Sequence, residues 1–202
     1  MADPTRVAIL ISGRGSNMRA LVEQAAGYEV VLVATNNPAA DGLNYACAGG
    51  IPTWALDSKA ASRSEFEEAL GAALADHDVG TIALAGFMRL LSAQFVEQWA
   101  GRIVNIHPSL LPKYPGLDTH ARAIAAGDSV SGCSVHLVTE EVDAGEVLAQ
   151  AEVPILPGDD PASLEQRVLE AEHGLYPRAL AEFITNRAQR ADQPTISSGL
   201  KK

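Results

Sequence analysis

Cysteine is scarce in this chain of 202 residues: Cys47 and Cys133 stand far apart and outside any Cys-x-x-Cys spacing. That excludes a disulfide framework and a zinc knuckle. The five histidines form neither His-Glu-x-x-His nor a mixed Cys/His ligand set, so the sequence points to no metal centre. Basic charge is also in deficit, with 15 Lys and Arg against 25 Asp and Glu and a net charge of −10. A surface built to hold nucleic acid needs the opposite balance. No apolar run approaches the ~20 residues that span a bilayer. The first residues, Met1-Ala-Asp-Pro4, are polar and carry no apolar leader stretch. The expectation is a cytoplasmic protein that avoids membranes and nucleic acid.

What is present is an ordinary globular balance, 47% hydrophobic and 20% charged. Arg6 to Ile11 is a continuous apolar run, as in a strand covered on both faces. Apolar runs recur at 29–34, 51–56, 81–85 and 103–106. Between them lie segments of helical spacing at 18–25, 41–48, 64–75 and 92–99, the third preceded by a capping Ser62 or Ser64. This alternation predicts an α/β fold, a doubly wound and mostly parallel sheet over roughly the first 110 residues. A helix over 119–126 follows. Strands at 133–138 and 147–153, joined by a short acidic turn, predict an antiparallel C-terminal hairpin. A long helix over 161–185 completes a single domain, residues 1–188, and the polar stretch 189–202 reads as a disordered tail.

The chain is organised around Ile103-Val-Asn-Ile-His-Pro-Ser-Leu-Leu-Pro-Lys-Tyr-Pro-Gly116. Proline ends the strand near His107, and a rigid loop follows where open α/β sheets place their ligand crevices. Asn105 and His107 are two apart and so share a face. An amide and an imidazole converging there can donate to a carbonyl oxygen and move a proton. Asp143, in the turn Val142-Asp-Ala-Gly145, is the best carboxylate to orient His107 and raise its pKa. His136 lies on a strand and reads as structural.

Ser12-Gly-Arg-Gly-Ser-Asn17 sits between a strand and a helix, which turns backbone N–H groups toward an anion. Met18 occupies the third glycine position of the dinucleotide fingerprint, and no Gly-Lys-Ser/Thr follows, so neither a nicotinamide site nor a P-loop fits. A terminal phosphate does, with Ser16 and Asn17 adding side-chain hydrogen bonds. Arg63 and Arg89 could meet an acidic ligand tail.

These motifs occur in one order: Ser12 to Asn17, Leu84-Ala-Gly-Phe-Met-Arg89, Asn105-Ile-His-Pro-Ser-Leu-Leu-Pro112 with Tyr114-Pro-Gly116, Asp143-x-Gly145, and Glu172-His173 before Tyr176-Pro177. Together they resemble the phosphoribosylglycinamide formyltransferase family from Val7 to about Phe183. The resemblance implies a formyltransferase-like fold and formyl transfer from 10-formyltetrahydrofolate to glycinamide ribonucleotide in purine synthesis. It implies Asn105, His107 and Asp143 as the catalytic trio. It implies Gly15, Ser16 and Asn17 at the substrate phosphate and Glu172 at its ribose. Met88, Arg89, Leu90 and Leu91, with Asn105, would line the folate site, and Arg63 would meet the folate glutamate. No metal is implied, and a monomer and a homodimer both remain open. Asp118 stands where some relatives carry histidine, so neither it nor His120 receives a role.

Formyltetrahydrofolate hydrolase and other members of the superfamily are the alternative. The methionyl-tRNA formyltransferases carry a basic C-terminal domain, for which the residues after Thr185 and the net charge are unsuited. A non-catalytic nucleotide-binding module leaves the convergence of Asn105, His107 and Asp143 without a reason.

Overall fold

The computed structural model describes residues 2–191. Seven strands form one sheet: β1 (Arg6–Ile11), β2 (Glu29–Thr35), β3 (Thr53–Ala55), β4 (Thr81–Leu84), β5 (Ile103–His107), β6 (Val130–Leu137) and β7 (Val147–Pro154). Their spatial order is β3-β2-β1-β4-β5-β6-β7. The first five are parallel, whereas β6 runs antiparallel to β5 and β7 antiparallel to β6. The helices are α1 (Ser16–Glu23), α2 (Gly42–Ala48), α3 (Arg63–Asp76), α4 (Ala93–Gln98), α5 (Thr119–Ala125) and α6 (Pro161–Ala191). Among the described residues no helix is long and apolar enough to cross a membrane.

The expected alternation produces two cores because side chains of a strand point alternately to opposite faces. Val7, Ile9 and Ile11 of β1 join Met18 and Leu21 of α1 and Leu164, Val168, Leu175 and Leu180 of α6 on one face. Ala8 and Leu10 join Phe66, Leu70 and Leu74 of α3 and Phe95 of α4 on the other. Tyr176 is fully buried, and its hydroxyl donates to the carbonyl oxygens of Leu84 (3.1 Å) and Val104 (3.0 Å). That bond ties α6 to the two central strands.

Local chemistry sets the helix ends. Ser62 caps α3 by accepting from the Glu65 N–H (3.2 Å), and Glu65 reciprocates at the Ser62 N–H (2.9 Å). Such a box stabilises a helix by about 1 kcal/mol. Pro177 lies inside α6 and cannot donate to the His173 carbonyl, which accepts instead from Gln24 Nε2 at 3.1 Å. α6 also outruns its expected end at Thr185 and continues through Ala191. Arg187 anchors this last part, donating to Thr81 Oγ1 (3.0 Å) and the Gly80 carbonyl (3.3 Å). The expected tail therefore loses residues 189–191 to the helix, and 192–202 lie outside the described residues.

Candidate active site

The carboxyl ends of β1, β4 and β5 adjoin because β4 lies between the other two. Three loops therefore meet at one edge of the sheet. One leads into α1, the second is Gly86–Leu91, and the third begins at Pro108.

The reaction-centre candidates come from β5 and β6. Asn105 pairs with His136, and His107 with Ser134. Residues directly opposite in an antiparallel ladder share a face, so four polar side chains stand together. Asp143 reaches them from the β6–β7 turn. Its Oδ2 lies 3.3 Å from His107 Nδ1, and its Oδ1 lies 3.5 Å from His136 Nε2. His107 is buried and Asp143 partly so, with side chains 7% and 10% exposed, so water screens the pair little. The Gly116 N–H also donates to Asp143 Oδ2, at 2.8 Å. The turn leaves no space beside Gly145, where an added Cβ would meet the Leu137 carbonyl oxygen at 1.8 Å.

His107 Nε2 lies 2.9 Å from the Tyr114 carbonyl oxygen. Both ring nitrogens thus face acceptors, an arrangement that suits the cation. Burial opposes the cation more strongly and sets the His107 pKa below its ordinary value, while the Tyr114 carbonyl and the Asp143 charge pull it back up. Asp143 pulls this pKa up, as expected from the sequence, but burial outweighs it and the net shift is downward. The Asp143 carboxyl itself is held below its usual value. Burial acts upward, and the adjacent His136 ring, the bond from the Gly116 N–H and the His107 charge outweigh it.

The loop after β5 is held by hydrogen bonds. Ser134 Oγ donates to the Ser109 carbonyl (2.6 Å) and accepts from the Leu111 N–H (3.0 Å) and Gln150 Nε2 (2.8 Å). Tyr114 donates to Asp128 Oδ2 (2.8 Å), and Arg122 lies over its ring and donates to the Pro115 carbonyl (2.6 Å). Tyr114, Asp118 and Asp143 have φ of 55°, 58° and 54°. Left-handed backbone at non-glycine residues costs of order 1 kcal/mol each and persists only where neighbours enforce it.

At the other end, Gly15 turns the chain into α1 with φ 72°, and an added Cβ would lie 2.8 Å from Met18 Cε. No side chain caps α1. A cleft of about 330 Å³ is lined by Arg14, Ser16, Arg19 and Asp41. Asn17 is buried, and its Nδ2 donates to Glu172 Oε2 at 2.7 Å. One of its two amide hydrogens is thereby committed to Glu172. Burial pushes the Glu172 carboxyl up to about 7, against the Asn17 hydrogen bond. Ser12 connects this loop to its neighbours, donating to Asn36 Oδ1 (2.5 Å) and accepting from the Met88 N–H (2.7 Å).

The Gly86–Leu91 loop divides its side chains. Met88 and Leu90 are exposed, whereas Leu91 packs on the core. Arg89 turns inward as well, its guanidinium 4.8 Å from the centroid of Phe66 and its Nη1 donating to the Ser58 carbonyl (3.2 Å). Arg89 thus braces the loop through one of its five donors. Arg63 is exposed on the first turn of α3. His120 is half-buried with Nδ1 unpartnered among the described residues, and burial lowers its pKa.

Sequence reasoning read His136 as structural and passed over Ser134. Their signal was available: two polar residues, two apart, on an otherwise small or apolar strand beside β5.

The chain belongs to the formyl transferase family, whose description matches residues 5–180. Phosphoribosylglycinamide formyltransferase of Escherichia coli is 41% identical over 186 residues, covering 90% of this chain and 88% of that protein. The crystal structure of phosphoribosylglycinamide formyltransferase from Brucella melitensis superposes with a TM-score of 0.85 at 51% identity, covering 89% of this chain and 95% of that one. The trifunctional purine biosynthetic protein adenosine-3 of Drosophila melanogaster is 50% identical over 200 residues; the match covers 96% of this chain but only 15% of that protein.

Proposed function

We propose that the chain transfers the formyl group of 10-formyltetrahydrofolate to the glycinamide amine of 5-phosphoribosylglycinamide, in the cytoplasm. The observation that carries the reading is the convergence of Asn105, His107 and Asp143, with His107 Nδ1 3.3 Å from the carboxylate, on an edge shared with an uncapped helix start. The names of the full-length bacterial relatives support it.

The acceptor phosphate binds the backbone N–H groups at Gly15, Ser16 and Asn17, aided by the Ser16 hydroxyl and the α1 dipole. Glu172, fixed by Asn17, accepts from a ribose hydroxyl. The pterin lies against the exposed Met88 and Leu90, and Arg63 meets the glutamate. The amine nitrogen attacks the formyl carbon, and the carbonyl electron pair moves to oxygen. Asn105 donates an N–H to that oxyanion. The amine gives up one proton and the folate nitrogen gains one as its bond to carbon breaks. His107, with an acid–base range shifted by burial and Asp143, carries that proton. No protein nucleophile is required.

The test measures tetrahydrofolate release with glycinamide ribonucleotide, with initiator methionyl-tRNA, and with water as sole acceptor. Turnover dependent on the ribonucleotide is expected. Equal turnover without an acceptor would mean a hydrolase.

A further inference from the structure

We infer that His136 is a positioning residue, the acceptor that fixes the Asn105 amide for the oxyanion; this rests on the formyl-transfer reading above. The ring is buried, and its two nitrogens have different tasks. Nδ1 lies 2.9 Å from the Leu137 carbonyl oxygen, which can only accept, so Nδ1 carries a hydrogen. A neutral ring then presents a lone pair at Nε2. Asn105 Nδ2 lies 3.1 Å away and donates one of its two hydrogens there. The second is left for the formyl oxygen.

An unrestrained amide can present its oxygen or its nitrogen to a developing negative charge, and only the nitrogen stabilises it. The hydrogen bond to His136 removes that choice. The register supports the assignment, because Asn105 and His136 are direct partners across β5 and β6. Asp143 Oδ1 is farther from Nε2, at 3.5 Å. A ring cationic at Nε2 would donate to that carboxylate and could not accept from the amide. The Leu137 carbonyl is itself held in place, since Gly145 packs against it without a side chain.

The test compares His136→Gln, whose terminal oxygen can replace the Nε2 lone pair, with His136→Leu, which cannot accept. We expect His136→Leu to lower kcat about 100-fold, the scale of losing one oxyanion donor, with both KM values changed less than about 3-fold. His136→Gln should stay within about 10-fold of wild type. In an Asn105→Ala background, His136→Leu should cost less than about 3-fold more, because the group it positions is gone. Full additivity in that background, or equal losses in the Gln and Leu variants, would overturn the inference. Side-chain amide NMR of Asn105 in the free protein gives a readout independent of turnover. Its resonances should shift in His136→Leu and stay near wild type in His136→Gln, and unchanged resonances in both would also overturn it. If wild type transfers no formyl group but the Asn105 shifts appear, the functional reading fails while the positioning stands.

Discussion

Asp143→Asn isolates one charge. Asparagine tolerates the left-handed φ of 54° as readily as aspartate, and its side-chain oxygen can still accept from the Gly116 N–H. Fold and substrate binding should therefore survive. What disappears is the negative charge 3.3 Å from His107 Nδ1. At an effective dielectric of ~20, two unit charges at this separation attract by about 5 kcal/mol, an upper limit on what the carboxylate gives the imidazolium. Only the part gained between bound substrate and transition state affects kcat. A loss of ~3 to 4 kcal/mol is reasonable for a preorganised charge in a water-poor site, which corresponds to a ~100- to 1000-fold fall in kcat. The sign for His107 follows from its balance of causes. Burial lowers its pKa and Asp143 pulls it up, so removing the charge must move it further down. NMR titration of the His107 ring in both proteins reads this directly, beside steady-state kcat and both KM values. A variant with kcat within 10-fold of wild type, or a His107 that titrates unchanged, refutes the reasoning.

Ser16→Ala should raise the acceptor KM by about 3- to 10-fold and leave kcat and the folate KM near wild type, because a phosphate remote from the reacting carbon is held alike in ground and transition states; a rise confined to the folate KM would place the glycine loop at the wrong end. Glu172→Gln keeps an acceptor for Asn17 but removes a buried acid whose folded pKa is raised to about 7. The low-pH stability contribution of Glu172 is complete below its ordinary value and lost as pH rises through about 7, so wild-type Tm should fall relative to the variant across that window. Parallel Tm curves from pH 4.5 to 8 would contradict it.

The strands were legible because doubly covered β-strands read as unbroken apolar runs, and Pro108 marked the end of β5 within a residue. Boundaries failed where that signal thinned. β6 begins at Val130, but Ser131 and Gly132 interrupt its apolar character. α6 runs past Thr185 through residues with good helix propensity but no apolar stripe, and the Arg187 contact that secures it comes from distant strand ends. In the site, the two-residue spacing singled out Asn105 and His107, the need for a carboxylate beside His107 singled out Asp143, and the family resemblance joined the three. The inward turns of Asn17 and Arg89 were not legible, because each answers to a partner far away in sequence: Glu172 for one, Phe66 and Ser58 for the other. Nor was the direction of the His107 shift, which depends on burial that no local motif encodes.

Gly145 has a consequence for how this chain can drift under mutation. A first side-chain atom there would press on the Leu137 carbonyl oxygen, the same oxygen that receives the His136 ring hydrogen. The ring in turn faces Asn105 and Asp143. Any replacement at this position would therefore reach the amide, the imidazole and the carboxylate together. Many exposed positions offer room for substitution, whereas here an added methyl group would be transmitted to the centre of the site. The least replaceable residue of the turn is thus one with no side chain and no chemistry of its own.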